Sequence, residues 1–235
     1  MIGEKVMKKT LLGLSRFEWW LWLTSVLVIL FSFFLSRNTA WLYLATSLLG
    51  ATALIFVSKG DVLGQILTAV FSVLYGVISY SYAYYGEMVT YLGMTLPIAI
   101  ASVVTWLKNP YGTERREVRV ARVRVWEYLL IFLLGIAVSV LFRFILRWLG
   151  TENLAASTVS VFTSFLAVVL SMRRSAFYAL AYAANDVVLI LLWGMASLEN
   201  SEYSCMVVCF LAFLANDLYG FFNWRRMEQR QSEGD

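Results

Sequence analysis

Apolar residues run along this chain in blocks too long for a soluble fold. Between charges and turn residues there are eight such blocks, at 19–35, 40–57, 62–84, 88–107, 126–148, 154–171, 176–197 and 203–224. A helix needs about 20 residues to cross the hydrocarbon of a bilayer, with a range of about 17–25. Every block falls in that range. Long continuous apolar runs are not strand patterns, because lipid-exposed strands alternate in polarity and must close into a barrel. The pattern predicts an all-α, polytopic membrane protein with eight transmembrane helices.

Composition sharpens that picture. The chain is 60% hydrophobic and only 14% charged, with a mean hydropathy of +0.72. A soluble domain is nearer half apolar and a quarter charged. The charges sit in the connections. With the N-terminus cytoplasmic, sixteen of the nineteen basic residues fall on the cytoplasmic side, leaving Arg37, Arg143 and Arg147 opposite. The other side carries Glu87, Glu152, Glu199 and Glu202 in its turns. Basic loops stay inside, so both termini are expected in the cytoplasm: a segment 1–18 before the first span and a tail 225–235 after the last. The first apolar run has no small-residue cleavage site after it, so the N-terminus reads as retained. Residues 108–125 form a basic cytoplasmic loop that follows the helix-ending Asn109-Pro110. It reads as topology-setting, with arginines suited to anionic headgroups.

The chain also resembles itself. Shifted by 118 residues, Tyr75-Gly76 falls on Trp193-Gly194, Met88-Val89 on Met206-Val207, Trp106 on Trp224 and Lys108 on Arg226. This predicts two parallel three-helix repeats, 40–107 and 154–224, joined by a linker helix at 126–148. The span at 19–35 is an extra N-terminal helix. Parallel repeats about an axis along the membrane normal are a SWEET-like plan, with substrate held near the midplane between the halves.

The chemistry available is narrow. There is no histidine, which removes imidazole acid–base work and His-containing metal sites. Cys205 and Cys209 share a helix face and cannot form a metal cage alone. No nucleophile–base constellation and no mid-span lysine is present, so neither an enzyme nor a retinal protein is expected, and no metal or cofactor. Two acids lie deep in spans, Asp186 and Asp217, each inside Ala-Asn-Asp with Asn185 or Asn216 before it. An intramembrane carboxylate is a functional candidate by default; the alternative is a structural, helix-bonded role, and for the asparagines interhelical glue. In the third span Gln65, Thr68, Ser72, Tyr75, Ser79 and Tyr82 recur at steps of 3 and 4, forming one polar face. That stripe lines a path or packs helices. Tyr182 lies one turn before Asp186. Ser157, Ser160, Ser164 and Ser171 read as close packing.

No arginine or lysine sits mid-span, and pockets for phosphate or carboxylate normally recruit one. The expected solute is therefore small and neutral or cationic: a flat cationic ring stacked on aromatics, or hydroxyls bonded by Asn, Gln and Asp. The candidate contacts are Gln65, Tyr75, Tyr182, Asn185, Asp186, Asn216 and Asp217. Lipid is the other partner, and nucleic acid is not one. A carrier for a vitamin such as thiamine or riboflavin, or for a hexose, fits the same residues, with or without proton coupling.

The stretch Phe213-Leu-Ala-Asn-Asp-Leu-Tyr-Gly-Phe-Phe-Asn-Trp224 resembles the Asn-x-Tyr-Gly-…-Trp signature of bacterial nicotinamide riboside transporters of the PnuC type. Met172-Arg-Arg, followed by Tyr178, Tyr182 and Asn185-Asp186, is similar to that family's basic turn and Trp-x-x-Trp helix ending in Asn. Here the paired tryptophans are replaced at about Ala179 and Tyr182, and the first half lacks the Asn-x-Tyr-Gly motif near 98–103. The resemblance implies facilitated diffusion of nicotinamide riboside across the bacterial inner membrane and trapping by a cytosolic kinase. It also implies a homo-oligomer, a trimer among the options, with a site in each protomer.

Overall fold

The computed structural model describes residues 13–35, 41–81, 84–112, 117–151 and 153–234. Tyr82, Arg37 and Glu152, all singled out above, lie outside these residues. Eight helices are long and apolar enough to cross a membrane. They are α1 (Arg16–Leu35), α2 (Trp41–Ser58), α3 (Val62–Ser81), α4 (Tyr85–Lys108), α5 (Val125–Trp148), α6 (Leu154–Met172), α7 (Tyr178–Glu199) and α8 (Ser204–Glu233). Each matches one apolar block of the sequence to within a few residues, with one large exception at the end of α8.

Local chemistry sets the ends. The α1 helix starts early because Ser15 and Glu18 cap it reciprocally: the Glu18 amide donates to Ser15 Oγ at 3.2 Å and the Ser15 amide to Glu18 Oε2 at 2.6 Å. The α2–α3 turn passes through Gly60 at φ +71°, a conformation glycine tolerates without strain. Asp61 Oδ1 then accepts the Leu63 amide at 2.9 Å to start α3. Helix α4 is not regular. Tyr91–Thr95 is a π turn, placed just before Pro97. Proline has no N–H to donate and its ring collides with the carbonyl four residues back. Widening the turn removes that collision while the helix continues.

Helix packing forms a ring in the order α2, α3, α4, α6, α7, α8 and back to α2. Outside it, α1 leans on α2 and α8, and α5 leans on α6. The apolar faces of α1 and α5 are broadly exposed, as Phe31, Leu129 and Phe144 show. In water such faces would aggregate; in lipid they are solvated.

Two aromatic layers close the ring. At the end holding the α3–α4 and α7–α8 turns, here the acidic end, Trp193 Nε1 donates to Tyr75 Oη at 2.9 Å. Tyr84, Tyr91 and Phe210 pack edge-on around that pair. At the opposite, basic end, Trp106 and Trp224 lie 5.4 Å apart. Their indoles bond crosswise: Trp106 Nε1 donates to the Ser171 carbonyl at 3.0 Å and Trp224 Nε1 to the Val57 carbonyl at 2.9 Å. Each carbonyl belongs to the last turn of a helix in the other half of the ring.

The basic connection is more ordered than a plain topology loop. Pro110–Tyr111 (β1) pairs antiparallel with Glu117–Val118 (β2). The Val118 amide reaches the Gly60 carbonyl and the Ala121 amide the Arg174 carbonyl. Here α8 departs from expectation. It runs past the predicted boundary at 224 because its last turns dock on this connection: Gln231, buried, accepts the Val120 amide at 2.8 Å and donates to Glu117 at 2.8 Å and to the Val118 carbonyl at 3.1 Å. Arg230 pairs with Glu117. Arg174 packs into the same surface, where partial burial and then the nearby Arg173 and Arg119 lower its pKa from the usual guanidinium value.

Candidate functional site

Between the two aromatic layers lies a cavity of about 40 Å³. Gly50 makes part of its wall. A Cβ there would fall 2.3 Å from Phe213 Cζ and 2.8 Å from Phe71 Cε2, so only glycine lets both rings turn inward beside α2. Phe71, Tyr91, Phe210 and Phe213 supply aromatic faces. The π turn aims Tyr91 and Thr95, four residues apart, at the same space.

The polar wall comes mainly from α7 and α8. Asp186 and Asp217 both line the cavity and are nearly fully buried. Their carboxyls are neighbours in this wall, and Asp186 Oδ2 has no hydrogen-bond partner among the described residues. Asn185 stands beside them, held from behind by α6. Its Oδ1 accepts Ser160 Oγ at 3.1 Å, Thr163 Oγ1 at 2.9 Å and Ser164 Oγ at 3.0 Å. The hydroxyls that read as close packing thus orient an amide. Its Nδ2 makes no hydrogen bond among the described residues, which leaves it for the cavity. Tyr182 and Thr68 complete the wall with Gln65, whose Nε2 donates to Ser171 Oγ at 2.9 Å. No lysine or arginine lines the cavity among the described residues.

Five of the seven candidate residues therefore come together: Gln65, Tyr182, Asn185, Asp186 and Asp217. Two do not, and their placement is a correction. Tyr75 lies in the acidic-end layer, stacked on Phe71 at 5.5 Å and bonded to Trp193. Asn216 faces away from the cavity, donating to Ser25 Oγ of α1 at 2.9 Å and to the Ala212 carbonyl at 2.7 Å. Adjacent helical residues differ by 100° in direction, so Asn216 and Asp217 serve different neighbours. The α3 stripe divides likewise: Gln65 and Thr68 line the cavity, whereas Ser72 is fully buried and bonds its own helix at the Thr68 carbonyl.

Sequence reasoning missed Tyr91, Thr95 and Glu87. The signal for the first two was Pro97 inside an apolar block, which marks an interrupted helix. Glu87, expected in an external turn, lies in the first turn of α4 and is 1% exposed. Nothing in Tyr84-Tyr85-Gly86-Glu87 distinguishes a turn from a helix start; packing against α6 decides it.

A ring of membrane-length helices around a small, acidic, aromatic-walled cavity defines a polytopic carrier rather than a soluble binding protein. Residues 40–226 match the family described as nicotinamide mononucleotide transporter, and the chain belongs to that family. Among curated relatives, the nicotinamide riboside transporter PnuC of Neisseria mucosa is 26% identical, over 94% of this chain and 85% of its own length. PnuC of Haemophilus influenzae is 22% identical, over 89% of this chain and 90% of its own. The crystal structure of the vitamin B3 transporter PnuC superposes with a TM-score of 0.82 at 24% identity, covering 93% of this chain and 94% of that one. It shows that the fold is shared.

Proposed function

We propose that this protein imports nicotinamide riboside by facilitated diffusion across the bacterial inner membrane, with both termini cytoplasmic. The family description names the mononucleotide and the two relatives are named for the riboside; the two solutes differ by a phosphate. The observation that favours the riboside is the pair of buried carboxyls, Asp186 and Asp217, in a cavity that no basic residue lines among the described residues. A phosphate there meets like charge and no guanidinium. A pyridinium cation instead finds its counter-charge in Asp186 and Asp217. Phe71, Tyr91, Tyr182 and Phe213 offer ring faces for the cation, in place of the family's Trp-x-x-Trp pair. Asn185 and Gln65 are suited to ribose hydroxyls and the carboxamide.

The carrier works by alternating access, with halves 40–107 and 154–224 rocking as parallel repeats, the helix at 126–148 linking them and the first span lying outside. Residues offset by 118 meet at both ends of the ring, Tyr75 with Trp193 and Trp106 with Trp224, as expected for positions beside a pseudo-twofold axis. A cavity of about 40 Å³ is far below the ~300–1,000 Å³ of ligand pockets. One aromatic layer must part before substrate is seated. Assembly as a homo-oligomer, a trimer, rests on family membership.

Liposomes holding the purified protein should take up labelled nicotinamide riboside to equilibrium and exclude its mononucleotide. Equal uptake of both overturns the charge argument. Stronger competition by thiamine, riboflavin or a hexose assigns the cavity to another solute.

A further inference from the structure

Outside the substrate cavity another acid, Glu87, is buried in a membrane-length helix. Glu87 lies between α4 and α6, and neither of its carboxylate oxygens has a hydrogen-bond partner among the described residues. Burying an ionised carboxylate without a partner is among the most unfavourable arrangements a protein can hold. Among the described residues no basic group faces it, and the titratable groups that do are the phenols of Tyr75 on α3 and Tyr91 on its own helix. From α6 the hydroxyl on its side is that of Ser160, near it but not hydrogen-bonded to it. From α5 the neighbour is Leu146, beside Gly86.

The surroundings are rich in oxygen. Thr90, one turn along α4 and so on the same face, is fully buried, and its Oγ1 is unpartnered. Thr151 Oγ1 is also buried and unpartnered. Thr151 and Ser157 close on the neighbouring Gly86 through carbon, where an added Cβ would lie 3.3 Å from Thr151 Cγ2 and 3.1 Å from Ser157 Cβ. Among the described residues, one carboxylate and several hydroxyls gather here without a second acid, a set that suits a small monovalent cation. A divalent ion would gather more carboxylates.

We propose that Glu87, with Thr90 and Ser160, forms a binding site for a small monovalent cation, sodium or a proton, between α4 and α6 and separate from the solute cavity. Either ion supplies the missing positive charge. Ser160 joins this site to the cavity, because the same hydroxyl donates to Asn185 Oδ1. Occupancy of the cation site therefore bears on how the cavity amide is held. The proposal is independent of which solute is carried.

The test is thermal unfolding of the detergent-purified full chain, without solute. Sodium chloride is compared with choline chloride at one pH and ionic strength, and a pH series is run in choline. Sodium-dependent stabilisation that disappears in Glu87→Gln assigns the site to sodium. Indifference to sodium, with a pH response in wild type that flattens in Glu87→Gln, assigns it to the proton. Identical sodium and pH responses in wild type and Glu87→Gln overturn the proposal. Should Glu87→Gln not fold, Thr90→Val keeps the carboxylate and removes one hydroxyl. It should raise the half-effective ion concentration about fivefold, the equivalent of one hydrogen bond; an unchanged half-effect overturns the proposal.

Discussion

At the residue scale, the two Ala-Asn-Asp segments divide their labour by direction. In each, the asparagine fastens its helix to a neighbour, Asn185 to α6 and Asn216 to α1. In each, the aspartate faces the cavity. Sequence spacing could place all four near mid-membrane. It could not say which helix stands behind each asparagine, and that decides whether the amide also reaches the cavity. Two outcomes follow from the division. Asp217→Asn should weaken nicotinamide riboside binding about tenfold or more, since a charge-assisted contact contributes ~1.5–3 kcal/mol. It should not lower thermal stability, because it removes one of two neighbouring buried acids. Asn216→Ala should do the reverse, lowering stability by ~1–3 kcal/mol through loss of the Ser25 bond, with affinity within about twofold. Calorimetric titration and thermal unfolding of the two variants separate these effects.

At the element scale, the helices were legible because crossing lipid imposes a length and an apolar content that few other structures share. The interruption of α4 was legible in part. Pro97 announced it, but the residues it redirects depend on how the backbone relieves the collision. The overrun of α8 was not legible, since Gln231 looks like any polar tail residue until the Val118 and Val120 backbone is placed beside it. Glu87 was invisible for a similar reason: its burial is a property of α4 against α6. Pro97→Ala tests the role of the π turn. With the amide restored and the ring gone, α4 can close to regular α geometry. Losing one residue of the wide turn rotates the preceding segment by about 100°, carrying Tyr91 away from the cavity. Solute affinity should fall about tenfold, ~1.4 kcal/mol, with helix content unchanged by circular dichroism. Unaltered affinity would mean that the π turn serves packing alone.

At the scale of the whole molecule, the two aromatic layers make opposed demands on any rocking motion. Trp193 bonded to Tyr75 holds the acidic end shut, and Trp224 bonded to the Val57 carbonyl holds the basic end shut. If the halves move as rigid bodies about the central cavity, weakening one end biases the population toward opening there and away from the other. Trp193→Phe and Trp224→Phe each keep a ring and delete one hydrogen bond, worth ~1 kcal/mol, or about fivefold in a two-state population. Cys209 reports the result without engineering. It is buried in the same cluster as Tyr75 and Trp193, so a membrane-impermeant maleimide reaches it only when the acidic end parts. In a Cys205→Ser background, Trp193→Phe should speed labelling of Cys209 about fivefold, and Trp224→Phe should slow it by a similar factor. A general loosening of the bundle would speed labelling in both variants. Opposite signs are what coupled halves require, because one conformational equilibrium then connects the two ends of the protein.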